Sequence, residues 1–462
     1  MVFSSLVFLC VFLPAVLLVY NFSKNVTYKN AVLVLASLVF YAWGEPVWVV
    51  LLIFSSLVDY VNGLIIDRHY GTRKAAAALV CSLVINLGLL VIFKYSSFLA
   101  DSIGALLHVY IPAPRVTLPI GISFYTFQTL SYTIDMYRGK TKVQKSLLRF
   151  MTYVSMFPQL VAGPIVRYTD ISYELRRRKT TACDFAEGAK RFTAGLCKKV
   201  LLANNAGNTA EMLLSAPVAT TASSWLGIIM YTFQIYFDFS GYSDMAIGLG
   251  RMLGFHFNEN FDYPYISKNI TEFWRRWHIS LGRFFRDYVY IPLGGNRCRQ
   301  VRNIIIVWLL TGLWHGASWN FVIWGGFYGL LLLIEKFPLR KIIGKIPSPF
   351  CHIYTMFFVI IGWGIFYFTD FNGLLMFFRH AFGIGCDLYD LATVSALYSN
   401  LWLILLCVIA STPIPKVIFG HLCKKSPKFA AIAEPAAVAV GFALCFVMLV
   451  GQTYNPFLYF RF

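Results

Sequence analysis

Charge is scarce in this chain. Only 13% of its 462 residues are Asp, Glu, Lys or Arg, against roughly a quarter in a soluble domain. Acidic side chains are scarcer still, 21 against 40 basic ones. The sequence also lacks a Ser/Gly linker, a low-complexity tract and an internal repeat, which predicts one integral-membrane domain over residues 1–462. Its ten cysteines show no paired metal-ligand spacing. Cys10, Cys81, Cys407 and Cys445 lie inside apolar runs, where cysteine behaves as a small hydrophobe. Neither a disulfide framework nor a zinc or other metal site is expected. The opening "MVFSSLVFLCVFLPAVLLVY" has no basic n-region and no small-x-small cleavage site, so it reads as a first span and not as a cleaved signal.

What is present is apolar surface. Hydrophobic residues make up 58% of the chain, and the mean hydropathy is +0.64. Many runs approach the roughly 20 residues that cross a bilayer core. They include Leu6–Tyr20, Ala31–Trp43, Val47–Ile66, Ala75–Phe93, Ile304–Trp319, Phe321–Ile334, Tyr354–Phe368, the shorter Leu401–Ile409, and Ala436–Val450. Lipid offers the backbone no hydrogen bonds, so these segments must be helices. The expectation is an all-α polytopic membrane protein with about 11 spans.

The formal charge of +19 is large for such a protein. Orientation accounts for part of it. Assigning loops alternately to two sides puts Lys24, Lys29, Arg68, Arg73, Lys74, Arg138, Lys140, Lys142, Lys145 and Arg149 on one side. Only Lys94 and Arg115 fall on the other. The positive-inside rule makes the first side cytoplasmic. Met151–Val166 carries Pro158, Gly163 and Pro164, so it can be re-entrant instead of spanning, and Arg167–Lys190 reads as a cytoplasmic loop or surface helix.

The remaining charge concentrates between Gly254 and Arg302. On a helical wheel, Phe273, Trp274, Trp277, Leu281, Phe284, Phe285 and Tyr288 share one face, with Arg275, Arg276, Arg283, Arg286 and Asp287 opposite. Phe273–Tyr288 is therefore expected as one amphipathic interfacial helix. Asn269 and Glu272 would form its capping box, and Pro292 would stop it. His278 lies at the edge of the apolar face. Two readings fit the arginines, anchoring to anionic lipid headgroups or binding an anionic ligand. His278 is either a functional group or an imidazole satisfied by a backbone carbonyl.

His315, in "GLWHGASWNFVIWG", is the sharper candidate. It lies twelve residues beyond Asn303, at about 1.5 Å per residue about 18 Å deep. An ionisable side chain at that depth is costly and points to function. Gly312 and Gly316 clear bulk from around it, so that substrate or another helix can approach. A buried imidazole favours its neutral form and is a ready general base. No G-x-S-x-G nucleophile elbow accompanies it, so direct attack of a deprotonated hydroxyl on an activated acyl group is indicated. Gln234, Asp238, Ser240, Tyr242, Ser243 and Asp244 mark one polar group within apolar sequence. Gln159, Arg167, Ser123, Tyr125, Gln128 and Asp135 mark others. Together they suggest a polar passage, though each can also be helix-packing glue.

These stretches resemble the membrane-bound O-acyltransferases. The resemblance is carried by "FPQLVAGPIVR" (157–167), "YFDFSGYSDMAIGLGRMLGF" (236–255), "FWRRWHISLGRFFRDYVYIPLGGNR" (273–297), "GLWHGASWNFVIWG" (312–325) and the terminal "YNPFLYFRF" (454–462). It covers nearly the whole chain and is strongest toward the bacterial polysaccharide-acetylating branch. It implies a ring of tilted helices around a central tunnel. It also implies a catalytic His315, a second required histidine at His278, and acetyl-CoA as donor substrate with no permanently bound cofactor. An SGNH-type extracytoplasmic partner, a polysaccharide acceptor and a bacterial inner-membrane location follow from it too. With that donor, Arg275, Arg276, Arg283 and Arg286 become a phosphate clamp. Membrane lipids are the other expected contact, and no nucleic acid is. Competing functions are a flippase for a lipid-linked sugar, a scaffold for an export complex, or acyl transfer of the teichoic-acid D-alanylation type. Against the flippase stands the lack of repeated halves.

Overall fold

The computed structural model describes residues 1–113, 117–160, 163–216, 218–451 and 457–458. Arg115, part of "FPQLVAGPIVR" and most of the terminal "YNPFLYFRF" lie outside them. Among the described residues there are helices and no strand, as an all-α membrane protein requires. The chain divides into two units. One comprises residues 1–192 and 245–258, the other 193–244 and 259–462.

Among the described residues, four helices are long and apolar enough to cross a membrane: Val49–Arg68, Arg73–Leu107, Ser348–Tyr367 and Pro427–Gly451. A fifth is reached if Leu391–Ser399 and Leu401–Ala410, bent by 54°, count as one. Length and apolarity thus support four or five spans, against about 11 expected. Phe8–Asn21 and Val26–Ala42 are apolar but shorter. Met151–Val166 is not one continuous helix. Leu147–Ser155 ends at Met156, and Phe157–Leu160 follows as a separate turn. In Arg167–Lys190, a turn at Tyr168–Ile171 precedes the start of the helix Ala182–Cys197.

In the first unit, polar groups tie helices together. Asp59 is fully buried and accepts from Asn86 Nδ2 at 3.0 Å through each of its oxygens, with Ser82 as a further donor. This fastens Val49–Arg68 to Arg73–Leu90. Of the run Arg176–Arg178, Arg178 turns inward. It donates to Tyr20 Oη and Asn30 Oδ1, each at 2.7 Å, and its guanidinium stacks on Phe255. These hydrogen bonds offset part of the cost of burying the charge, while Nη2 keeps no partner among the described residues.

In the second unit the core is aromatic. Gln300–His315 and Trp319–Lys336 pack closely as a hairpin. A methyl added at Gly312 would fall 2.2 Å from the Phe321 carbonyl oxygen, and one at Gly325 would fall 2.3 Å from that of Trp308. Glycine is what lets these backbones approach. Gln300–His315 has 16 residues, so it rises about 24 Å and stops short of a core of about 30 Å. The expected span Ile304–Trp319 therefore ends at His315, where the chain turns.

Candidate active site

The expected helix Phe273–Tyr288 is broken in the middle. Ile270–Arg276 ends at an extended Trp277, His278 takes φ 46° and ψ 54°, and Ile279–Phe285 restarts the helix before a wider turn over Arg286–Tyr290. Left-handed backbone is unusual for a non-glycine residue. The two faces survive the break. Phe273, Trp277, Leu281, Phe284 and Phe285 are buried, while Arg275, Arg283 and Arg286 are exposed. The cap is half realised. Asn269 Oδ1 accepts the Glu272 N–H at 2.7 Å, but the Glu272 carboxylate takes the N–H of Lys268 and not that of Asn269.

The break turns His278 inward, to 2% exposure. Its ring meets Phe239 edge-on at 4.7 Å and Trp314 at 5.8 Å between centroids. Nδ1 lies 3.2 Å from Asn260 Oδ1. Nε2 is buried and has no hydrogen-bond partner among the described residues. Burial pushes the imidazole well below the ordinary histidine range, so it is held neutral.

His315 closes its helix and is 5% exposed. Its ring stands edge-on to Trp324 at 5.0 Å and Phe366 at 5.3 Å, and 5.0 Å from its neighbour Trp314. Trp314 thus touches both imidazoles. The space beside His315 that Gly312 and Gly316 leave is taken by Phe321, whose ring would lie 2.1 Å from a methyl at Gly316. Both glycines serve helix approach. Trp274 Nε1, Trp324 Nε1 and the Tyr328 hydroxyl are also buried without a hydrogen-bond partner among the described residues. This aromatic cluster is apolar in bulk and keeps several buried polar atoms idle.

The four arginines are not equivalent. Arg276 is held by Glu272 and Asp262, each at 3.0 Å. It lines an open cleft of about 540 Å³ together with Lys416, His421 and Lys424. Arg286 pairs with Asp287 at 2.7 Å. Arg275 and Arg283 face outward. Sequence reasoning missed Lys416 and Lys424, since the cleft joins segments about 140 residues apart. It missed Asn260 too, which lies in an irregular stretch without periodicity.

The expected polar passage is largely ion-paired in this unit. Asp238 meets Lys199 at 2.6 Å, and Asp244 meets Lys198 at 2.7 Å. Asp238 also accepts the N–H of Leu458 at 2.7 Å. The adjoining Phe457 packs on Phe239, the ring that meets His278. In the first unit, Tyr125 and Gln128 keep buried side-chain polar atoms without hydrogen-bond partners among the described residues.

The sequence model of the membrane-bound O-acyltransferase family matches residues 116–378, more than half of the chain and both histidines. The chain belongs to this family. It is 39% identical to the probable alginate O-acetylase AlgI of Azotobacter vinelandii and 38% identical to that of Pseudomonas aeruginosa, with 100% of each chain covered. It is 32% identical to the peptidoglycan O-acetyltransferase of Helicobacter pylori, over 87% of this chain and 83% of that protein. The protein is therefore a membrane O-acetyltransferase, and the flippase and scaffold readings fall away.

Proposed function

We propose that the protein moves acetyl groups from cytoplasmic acetyl-CoA across the bacterial inner membrane to hydroxyls of an exported, alginate-like polysaccharide, directly or through an SGNH-type extracytoplasmic partner. The observation that carries this reading is the pair of buried histidines joined by Trp314 within one aromatic cluster. His315 serves as general base. It takes the proton of the attacking hydroxyl as oxygen bonds to the thioester carbonyl carbon. The C–S bond then breaks, and the CoA thiolate leaves and takes up a proton. His278 is the second imidazole of this centre. The aromatic walls keep out water, which would otherwise hydrolyse the thioester.

Donor phosphates would be held by arginines from the set Arg275, Arg276, Arg283 and Arg286. The cleft beside Arg276, with Lys416 and Lys424, favours that arginine. Arg276 would then exchange a carboxylate partner for phosphate. In this reading the chain crosses the membrane about 11 times, more often than the length and apolarity of its helices alone identify. The test is purified protein in lipid nanodiscs, given acetyl-CoA labelled in the acetyl group, an alginate-type polymer and an SGNH-type partner. Label in polymer or partner ester supports the reading. Release of free CoA with no labelled ester would contradict it.

A further inference from the structure

We propose that Asn260 fixes the tautomer and the aim of His278, so that this imidazole meets substrate as a hydrogen-bond acceptor through Nε2. The inference rests on the two-histidine centre proposed above. Asn260 is fully buried, and its amide orientation follows from its neighbours. The backbone N–H of Ser280 points at one amide atom, 3.2 Å away. A peptide N–H can only donate, so that atom is the carbonyl Oδ1. The Nδ2 group accordingly donates to Ser243 Oγ at 3.1 Å. The same Oδ1 lies 3.2 Å from His278 Nδ1 and accepts from Ser280 Oγ at 2.8 Å. An amide oxygen only accepts, so His278 Nδ1 carries the ring proton. In a neutral imidazole the other nitrogen is then bare.

Asn260 also grips the turn itself. Its carbonyl accepts the N–H of Ile279 at 2.9 Å, and two residues on, the Asp262 N–H donates to the carbonyl of Arg276 at 3.0 Å. The strained φ of 46° at His278 is thus flanked on both sides by bonds to the 260–262 segment. Such strain persists where its surroundings over-determine it, and it gathers at functional sites. On the far edge of the ring, Nε2 is buried with no partner among the described residues. Among the described residues, side chains against the ring include Phe239, Phe261, Trp314, Ser280 and Asn260, none of which ionises near neutral pH. A bare lone pair in such a place is costly to leave idle, and a substrate N–H or O–H would satisfy it. The arrangement parallels the histidine of hydrolytic triads, where a third group holds Nδ1–H so that Nε2 can act.

The experiment compares wild type, Asn260→Ala, Asn260→Asp and His278→Ala as purified proteins in nanodiscs. It reads kcat and KM with labelled acetyl-CoA, the pH profile of kcat, and the thermal midpoint. Asn260→Ala should lower kcat by about 10–100-fold, the loss typical when the group orienting a metal-ligating histidine is removed, with KM for acetyl-CoA nearly unchanged. Asn260→Asp keeps an oxygen acceptor at the same place, so it should recover kcat. Its carboxylate should also raise the His278 pKa and bring an acid limb into the profile at higher pH than in wild type. Wild-type kcat in Asn260→Ala would overturn the proposal. So would activity lost from both Asn260 variants in proportion to melting, with the acid limb unmoved. Full activity of His278→Ala would instead remove the two-histidine centre itself.

Discussion

Glu335 holds Thr271 twice, accepting its backbone N–H at 2.9 Å and its hydroxyl at 2.7 Å. The same carboxylate accepts the N–H of Ile270 at 2.6 Å. A buried carboxylate from the end of Trp319–Lys336 therefore caps the start of Ile270–Arg276, where orphan N–H groups and the helix dipole both favour negative charge. Glu335→Ala should cost about 1–3 kcal/mol from unsatisfied buried donors. It should also reduce acetyl transfer, because this helix delivers His278. Thermal melts beside turnover check it, and an unchanged melt would show that the cap does not hold this helix.

The hairpin that ends at His315 gives a contrast between two glycines. Gly312 abuts the Phe321 carbonyl, whereas a methyl at Gly326 would meet, among the described residues, just Leu309 at 4.0 Å. Gly312→Val should prevent close packing and lower both yield and melting temperature. Gly326→Ala should be neutral or stabilising by up to about 1 kcal/mol, from helix propensity. Equal behaviour of the two variants in a melt would contradict the packing described here.

Single changes of Arg275, Arg276, Arg283 and Arg286 to Gln separate donor binding from lipid anchoring. Loss of a charge-assisted bond, about 1.5–3 kcal/mol, should raise the KM for acetyl-CoA in at least one variant. The cleft singles out Arg276→Gln. Wild-type donor affinity in all four would assign the arginines to lipid headgroups.

Sidedness is open to labelling. In a background with the exposed Cys10, Cys81, Cys183 and Cys298 replaced, a cysteine beside Lys142 should resist an impermeant thiol reagent outside intact cells. One near Pro112 should react. The reverse pattern would place the Arg275–Arg286 segment on the wrong side for a cytoplasmic donor.

The helical character, the burial of both histidines and the outward face of Arg275, Arg283 and Arg286 were legible because hydrophobic periodicity reports environment directly. The break at Trp277–His278 was not. "RRWHIS" has no proline or glycine, and the left-handed turn comes from Asn260, eighteen residues earlier. Nor was Arg178, third in "RRR", legible as the buried one, since that depends on Tyr20 and Asn30 in distant helices. The end of the helix at His315 was obscured by the mean apolarity of Ile304–Trp319, although Gly316 and Ser318 mark the turn. Charge pairing of Arg276 with Asp262 joins a loop to a helix, a contact that periodicity does not encode.

The proposed mechanism stands on His315 as the base for acetyl transfer. The most direct measurement is turnover of labelled acetyl-CoA by purified His315→Gln, with its melt matched to wild type. Glutamine keeps a polar side chain but cannot take a proton near neutral pH, so activity should fall by about 10²–10⁴-fold with folding intact. A well-folded His315→Gln that keeps more than roughly a third of wild-type turnover, far above the loss expected for a missing base, would contradict the account and leave His315 a packing residue.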